Sequence, residues 1–401
     1  MEKPRLIFAN RVYWPAEAAT AQLLTDLTEA LAARGWPVHV IAAGSGPAER
    51  QGVIVHRTGG DIRHAGRLAQ AVNYWKYLAA ARREIARLSR PGDIVVLKTD
   101  PPLLAAAATG IARRRGARVV HWIQDIYPEI VPAHVGAWAA LPLWPLRVGR
   151  DRAWRAAQRC LPVGEDMAGV VRARGVDPAR VLVMPNWAPR ELESAPAAAD
   201  IAAQREAWGL AGKFVAVYSG NLGRVHEFAT LLDAADRLRS DPAFVFLFIG
   251  DGPRRPELRR AAEARHLGNV HFRPAQPRTR LGVALAAADV HFVTLLPGYE
   301  HLVYPSKLAG ILAASRPVLF VGPPGCRLAT LLEREQCGLA FAPGDGARVA
   351  AALPALRADP ARLAALGRAA RAGYERHFTF AQAVIRWEEL LRGLVAAGAA
   401  K

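Results

Sequence analysis

Cysteine is scarce: only Cys160, Cys326 and Cys337 occur. Their spacing fits no metal-binding pattern, and they read as reduced core residues of a cytosolic protein. No uncharged apolar run reaches the roughly 18 residues that signal a membrane span. The opening Met1-Glu2-Lys3-Pro4-Arg5 leads directly into a strand-like run and lacks a signal-peptide pattern. Gly-x-x-x-x-Gly-Lys-Ser/Thr is absent, which sets aside a Walker-type phosphate loop. No Gly-x-Gly-x-x-Gly follows the first strand, which argues against a dinucleotide enzyme. Acid is short as well: 35 Asp and Glu face 53 Lys and Arg, a net charge of +18. An excess of that size suits nucleic acid, an anionic membrane or a phosphorylated substrate. The Ala/Arg/Pro/Gly-rich composition of a GC-rich genome is the other source of arginine. No nucleic-acid recognition motif occurs, and the basic residues fall on helices, so nucleic acid is disfavoured.

What is present is alternation. Apolar strand-like runs (Leu6-Ala9, Val38-Ala43, Val53-Val55, Ile94-Leu97, Val119-Ile123, Cys160-Val163, Val181-Met184) are separated by amphipathic stretches such as 18–34, 65–89 and 143–159. Pro185 to about Lys213 breaks the pattern, which restarts at Val215-Tyr218 and runs through Val245-Ile249, Val270-Phe272, Val290-Thr294, Val318-Val321 and Leu339-Phe341. At 401 residues the chain suits two domains. The alternation predicts an α/β fold of two doubly wound, Rossmann-like parallel sheets. A closing helix is expected from Phe380 to Val395.

In such sheets ligands sit at the C-terminal ends of the strands, so the loops there hold the candidates. The first runs from Asn10 to Gln22 and includes Tyr13, Glu17, Ala19 and Thr20; an ordinary capped loop is the competing account. In the second, Gln124-Asp125-Ile126-Tyr127-Pro128-Glu129, Asp125 can orient a hydroxyl or act as a base, or simply serve a turn. His121, inside the preceding strand, reads as a core histidine. The third, Ser219-Gly220-Asn221-Leu222-Gly223-Arg224-Val225-His226, offers glycine turns with Arg224 and His226 for phosphate oxygens. In the fourth, Gly250-Asp251-Gly252-Pro253, Asp251 reads as a turn residue. Tyr299-Glu300-His301-Leu302-Val303-Tyr304-Pro305-Ser306-Lys307-Leu308 places a carboxylate, a hydroxyl and a lysine between a strand and a helix start, where an anion such as a diphosphate is favoured.

Together Tyr13-Trp14-Pro15, Ala18 to Leu27, Thr99-Asp100-Pro101-Pro102, Gln124 to Glu129, Pro185-Asn186-Trp187, Ser219 to Gly223, Gly250 to Pro253 and Pro305-Ser306-Lys307-Leu308 resemble a GT-B-fold, family-4 glycosyltransferase. The resemblance is strongest to the bacterial O-antigen, capsule and exopolysaccharide branch with its fucosaminyltransferase-like members. It covers nearly the whole chain, and order and spacing carry it. It implies two Rossmann-like domains facing each other across a cleft: 1–188 for the acceptor, 189–377 for the nucleotide-sugar, and 378–401 as a helix crossing back to the first.

The implied reaction is retaining, metal-independent transfer of a hexosyl or N-acetylhexosaminyl group from a nucleotide diphosphate, with UDP favoured. The acceptor is a saccharide or lipid-linked sugar in surface-polysaccharide synthesis, and no cofactor is expected. Catalytic roles fall to Glu300, Lys307, Arg224 and Asp125. Donor binding falls to Gly220, Asn221, Gly223, His226, Gly250, Tyr304, Pro305, Ser306 and Leu308. Acceptor binding falls to Asn10, Tyr13, Ala19, Thr20, Gln22 and Asp100. Asn221 and His226 stand where the family usually has arginine and lysine, so Arg224 takes over that charge. Gly310 stands where a ribose-binding glutamate usually lies, and His301 where this branch often has glycine.

A cytoplasmic location is implied, peripheral on the inner face of the membrane. Two stretches suit that surface: Trp144, Arg147, Arg150, Arg152, Trp154, Arg155 and Arg159, and Tyr74, Trp75, Lys76, Tyr77, Arg82, Arg83 and Arg87. Sheet-packed helices with a solvated arginine face are the alternative. A sugar-nucleotide epimerase and a non-catalytic membrane-associated partner are the competing functions.

Overall fold

The computed structural model describes residues 3–16, 18–60 and 66–399. The chain divides into two compact units: residues 1–185, 301–304 and 381–401 form the first, and 186–300 with 305–380 the second.

Unit 1 runs β1 (Leu6–Ala9), α1 (Ala19–Ala33), β2 (Val38–Ala42), β3 (Glu49–Arg50), β4 (Val53–Arg57), α2 (Gly66–Leu88), β5 (Ile94–Lys98), α3 (Leu104–Arg114), β6 (Arg118–Ile123), α4 (Ile130–Val135), α5 (Ala140–Ala156), β7 (Arg159–Pro162) and α6 (Glu165–Ala173). Its sheet has the order β3-β4-β2-β1-β5-β6-β7, and every pair is parallel except β3 with β4. The continuous Val/Ile/Leu runs fit strands covered on both faces. The order reverses at β1, so β1, β5 and β6 bring their loops to a switch point.

Unit 2 contains α7 (Ala198–Ala207), β8 (Phe214–Ser219), α8 (Ala229–Arg237), β9 (Phe244–Ile249), α9 (Arg255–Ala264), β10 (Val270–Arg273), α10 (Leu281–Ala286), β11 (Val290–Thr294), α11 (Lys307–Ala313), β12 (Val318–Val321), α12 (Arg327–Arg334), β13 (Gly338–Phe341), α13 (Gly346–Ala358) and α14 (Pro360–His377). Its all-parallel sheet runs β10-β9-β8-β11-β12-β13 and switches direction at β8. The core is aromatic: Phe246 stacks on Phe292 and Phe248 on Phe272. The last helix, α15 (Phe380–Ala399), seats Trp387 against Trp122 of β6, with ring centroids 4.9 Å apart.

Several expectations change. Val181 to Met184 forms no regular strand: Val181 makes an isolated parallel bridge to Cys160, and the Leu182 and Met184 N–H groups reach the Cys160 and Pro162 carbonyls at 3.0 Å and 2.8 Å. The helix expected over roughly 65–89 is described as Gly66–Leu88, Ala65 lying outside the described residues. Arg150 and Trp154, expected on a basic surface, are buried. Arg150 makes a bidentate pair with Glu129 at 2.7 Å and also holds Asp151. A buried arginine is stable only when so paired. Tyr77 is buried too, its hydroxyl donating to the Ile41 carbonyl at 2.9 Å. The three cysteines are buried and form no disulfide, and His121 is a core histidine whose Nε2 lies 2.9 Å from Thr109 Oγ1.

Candidate functional site

In unit 2 three loops meet behind the C-terminal ends of β8, β9 and β11. Gly220 ends β8 with its N–H on the Ile249 carbonyl at 2.9 Å, and the Leu222 N–H reaches the Asp251 carbonyl at 2.8 Å. The two loops therefore lie backbone to backbone, and glycine is what permits it. A Cβ on Gly250 would sit 2.2 Å from the Gly220 oxygen, and one on Gly252 2.6 Å from the Leu222 oxygen, both at positive φ. Gly250→Ala should lower stability by roughly 2–4 kcal/mol, read from the urea midpoint. Asp251 serves the turn, its Oδ1 accepting from the Gly252 N–H at 2.8 Å.

Against this glycine platform lies Lys307. Its Nζ is closed off from solvent, makes no hydrogen bond among the described residues, and rests 3.5 Å from the centre of the Tyr218 ring. A Cβ on Gly220 would be in ordinary contact with the lysine, 3.6 Å from that Nζ, so what favours glycine here is its positive φ. Burial holds the amine well below the usual lysine pKa. An ammonium deprived of water and of acceptors is expensive, and the Tyr218 ring face offsets that only in part.

His226 takes a different part from the one its place in the sequence suggests. Its Nδ1 donates to the Thr294 carbonyl at 2.7 Å, and its ring packs edge-on against Tyr218. Burial, followed by the neighbouring Lys307, lowers its pKa to about 3. It is neutral near pH 7 and brings no charge to a phosphate. The α8 N-terminus is likewise occupied, because the Glu227 carboxylate accepts from the Thr230 N–H at 3.1 Å and 3.2 Å. Arg224 and Asn221 are exposed beside Gly223. The Glu300 Oε2 accepts from the Gly298 N–H at 2.8 Å, which fixes the carboxylate in its own turn. Ser306 is exposed at the start of α11, while Pro305 and Leu308 are buried and serve packing. At Gly310 a Cβ would meet Leu192 Cδ1 at 3.3 Å and Leu285 Cδ1 at 3.5 Å. That position faces an apolar contact with no room for a carboxylate.

Unit 1 assembles a second group. Asp100, after β5, takes the Arg11 guanidinium at 3.0 Å, and its carbonyl accepts the Arg11 N–H. Asp125, after β6, is held by an antiparallel bridge to Val303, and the Ile126 N–H bonds the Leu302 carbonyl at 2.8 Å. Residues 301–304 thus bridge to the chain just past the C-terminal end of β6, and Tyr304 lies against Gly164, where a Cβ would meet its ring at 2.8 Å. Desolvation, then Asp100, raises the Asp125 pKa to about 6, with Lys98 opposing.

Lys98 is the residue the sequence reading missed. It ends β5, is 1% exposed, donates to the Thr20 carbonyl at 3.0 Å and sits 3.8 Å from the Trp122 ring centre. Burial lowers its pKa to about 7, against the pull of Asp100 and Asp125. The available signal was a lysine closing the apolar run Ile94-Val95-Val96-Leu97.

The remaining candidates divide. Thr20 is tied to Lys98, Ala19 and Gln22 lie in the first turn of α1, and Glu17 lies outside the described residues. Asn10 is buried and closes its own turn through Nδ2 to the Val12 carbonyl at 2.6 Å. Tyr13 is placed in the core, 1% exposed with its hydroxyl 3.1 Å from Thr28 Oγ1. Among the described residues no group of three or more His, Cys, Asp or Glu is placed to hold a metal ion.

Two domain families match the chain in order: the glycosyl transferase 4-like domain over residues 19–187 and glycosyl transferases group 1 over 213–359. The probable glycosyltransferase WbjE of Pseudomonas aeruginosa is 28% identical over 258 residues, covering 64% of each chain. The putative colanic acid biosynthesis glycosyl transferase WcaI of Escherichia coli (strain K12) is 31% identical over 238 residues, covering 56% of each. The matches therefore span 64% and 56% of those relatives' own lengths. Among solved structures, HepE of Anabaena, crystallised in complex with UDP, superposes with a TM-score of 0.75 at 16% identity, covering 97% of this chain and 100% of that one.

Two doubly wound parallel units with helices on both faces, together with that likeness, define a GT-B fold. With both catalogued domains in sequence, the chain belongs to the family-4 glycosyltransferases.

Proposed function

We propose that the chain transfers a hexosyl or N-acetylhexosaminyl group from a UDP-sugar to a saccharide or lipid-linked acceptor in surface-polysaccharide synthesis, with retention and without a metal. The observation that carries this reading is the buried, hydrogen-bond-free Lys307 Nζ beside a glycine backbone platform. A diphosphate seated there supplies the acceptors the amine lacks. UDP is favoured because HepE was crystallised with it, and polysaccharide synthesis because the name of WcaI places that relative in colanic acid biosynthesis.

The roles follow from chemistry. As the anomeric C–O bond to the diphosphate breaks, negative charge grows on the phosphate, and Lys307 with Arg224 stabilises it. The acceptor oxygen bonds the anomeric carbon from the same side, and its proton passes to the departing phosphate oxygen. Asp125 accepts a hydrogen bond from that acceptor hydroxyl and orients it. Glu300 binds the sugar hydroxyls. Ribose recognition falls to backbone groups or to a side chain other than position 310. The proposed location is cytoplasmic, in keeping with three cysteines that form no disulfide.

The test is turnover of UDP-sugars with and without a lipid-linked saccharide. UDP release that depends on acceptor, with product of unchanged anomeric configuration and full activity in chelator, is expected. Interconversion of the sugar-nucleotide without acceptor would point to an epimerase instead.

A further inference from the structure

The chain leaves unit 2 for four residues and then returns. His301–Tyr304 belong to unit 1, whereas Glu300 before them and Pro305 after them belong to unit 2. Glu300 and Lys307, both assigned to the donor, therefore flank a short excursion through the unit that carries Asp125.

The excursion is held by backbone. Val303 forms the antiparallel bridge to Asp125, and the Leu302 carbonyl accepts the Ile126 N–H at 2.8 Å. The Leu302 side chain is buried. On the other side of Asp125, the Gln124 N–H donates to Thr99 Oγ1 at 3.2 Å. The aspartate is thus fixed through both of its chain neighbours, once by the loop after β5 and once by the excursion.

Tyr304 closes the arrangement. Its ring lies on Gly164, which stands between β7 and α6. Gly164 has φ −153° and ψ 161°, extended backbone that any residue adopts, so the local conformation does not call for glycine. The ring does. A Cβ at position 164 would meet Tyr304 Cδ2 at 2.8 Å and Cε2 at 3.1 Å. Because β6 and β7 are neighbours, the excursion crosses the C-terminal ends of both. The residue expected at the donor therefore has its ring among the strand ends of unit 1.

We propose that His301–Tyr304 is a strap that sets Asp125 according to the state of the donor site, with Tyr304 as its positioning residue. The proposal rests on the sugar-transfer reading and adds a link between its two groups. A diphosphate on Lys307 fixes the start of α11, three residues beyond Tyr304. Opening of the strap then works against donor binding, so the donor favours the closed strap. The closed strap holds the Ile126 N–H and, with it, the place of the Asp125 carboxylate. By linkage, an acceptor on Asp125 tightens the donor by the same factor as the donor tightens the acceptor. Placement matters at this level, because a shift of about 1 Å can cost about 10²-fold in rate.

The experiment is amide hydrogen exchange of the full chain, followed in the peptide that contains Ile126, beside the thermal shift with UDP as probe. In the native protein UDP should raise the melting temperature and slow the Ile126 exchange, by about tenfold at ten times its dissociation constant. Gly164→Ala and Tyr304→Ala should each speed that exchange and lower kcat for acceptor-dependent transfer by about 10- to 10²-fold, while UDP still raises the melting temperature. The double variant should match Tyr304→Ala, since without the ring the new Cβ meets nothing there. A native protein that UDP stabilises with Ile126 exchange unchanged overturns the inference and leaves the sugar-transfer reading standing. Native kcat in both single variants overturns it as well. Loss of the UDP shift in Tyr304→Ala overturns it in favour of a donor contact by that ring. No UDP shift in the native protein removes the inference and the reading together.

Discussion

Lys307→Met should give a protein that is more stable than the native one and nearly inactive. The substitution keeps the length of the side chain and removes an amine that has neither water nor a hydrogen-bond acceptor. Replacing buried charge with well-packed apolar volume often stabilises by about 1–4 kcal/mol. The same amine is assigned to the leaving diphosphate, and removal of one such charge-stabilising donor costs about 10²–10³ in turnover. Opposite signs for stability and activity separate a functional lysine from a structural one, since loss of a structural lysine lowers both.

Proton coupling gives a second sign. Burial holds the Lys307 pKa well below the ordinary lysine value, and a bound diphosphate favours the charged form. UDP binding should therefore take up a proton at pH values between the lowered pKa and the bound one. Calorimetry in buffers of different ionisation enthalpy measures this uptake, and Lys307→Met should abolish it.

Asp125→Asn should lower kcat by about 10²-fold or more while leaving the affinity for UDP unchanged, because the residue is assigned to the acceptor hydroxyl. The pH dependence gives the finer test. With its pKa raised to about 6, the Asp125 carboxylate becomes available as pH rises through that value, so the acid limb of kcat/KM, which reports the free enzyme, should lie there. Lys98 opposes that rise. Lys98→Met should therefore move the limb to higher pH, a shift that a packing role alone would not produce.

Stability follows the opposite course. In the folded state Asp125 keeps its proton to higher pH than in the unfolded chain. Folding stability is then lost as pH rises from about 4 toward 6, and the cost is complete above it. Asp125→Asn should match the native protein in acid and exceed it at neutral pH. For Lys98, with a folded pKa of about 7, stability is instead gained as pH rises from there toward the ordinary lysine value.

Most of the architecture was legible in the amino-acid order, because the signal is local. Apolar runs such as Val245-Ile249 and Val318-Val321, each followed by a helical period, determine a parallel strand and its crossover within a few dozen residues. The loops at the strand ends could be placed for the same reason. What was not legible is which polar side chains turn inward, because their partners lie far along the chain. Arg150 is taken inside by Glu129, His226 by the Thr294 carbonyl and Tyr13 by Thr28. Lys98 escaped notice because a lysine after four apolar residues reads as the solvated end of a strand, whereas the Thr20 carbonyl and Trp122 ring close over it. At Gly310 the sequence showed a missing carboxylate, and only packing showed that Leu192 and Leu285 leave no space for one.

The central claim is that Lys307 and the glycine platform of unit 2 receive a nucleoside diphosphate. The most direct measurement is the thermal shift of the native protein and of Lys307→Met with UDP, each at a concentration expected to saturate. At 100 times the dissociation constant a ligand adds about 2.7 kcal/mol of stability. The account predicts that UDP raises the melting temperature of the native protein and leaves that of Lys307→Met unchanged. No shift with UDP in the native protein, or an equal shift in both, would contradict it.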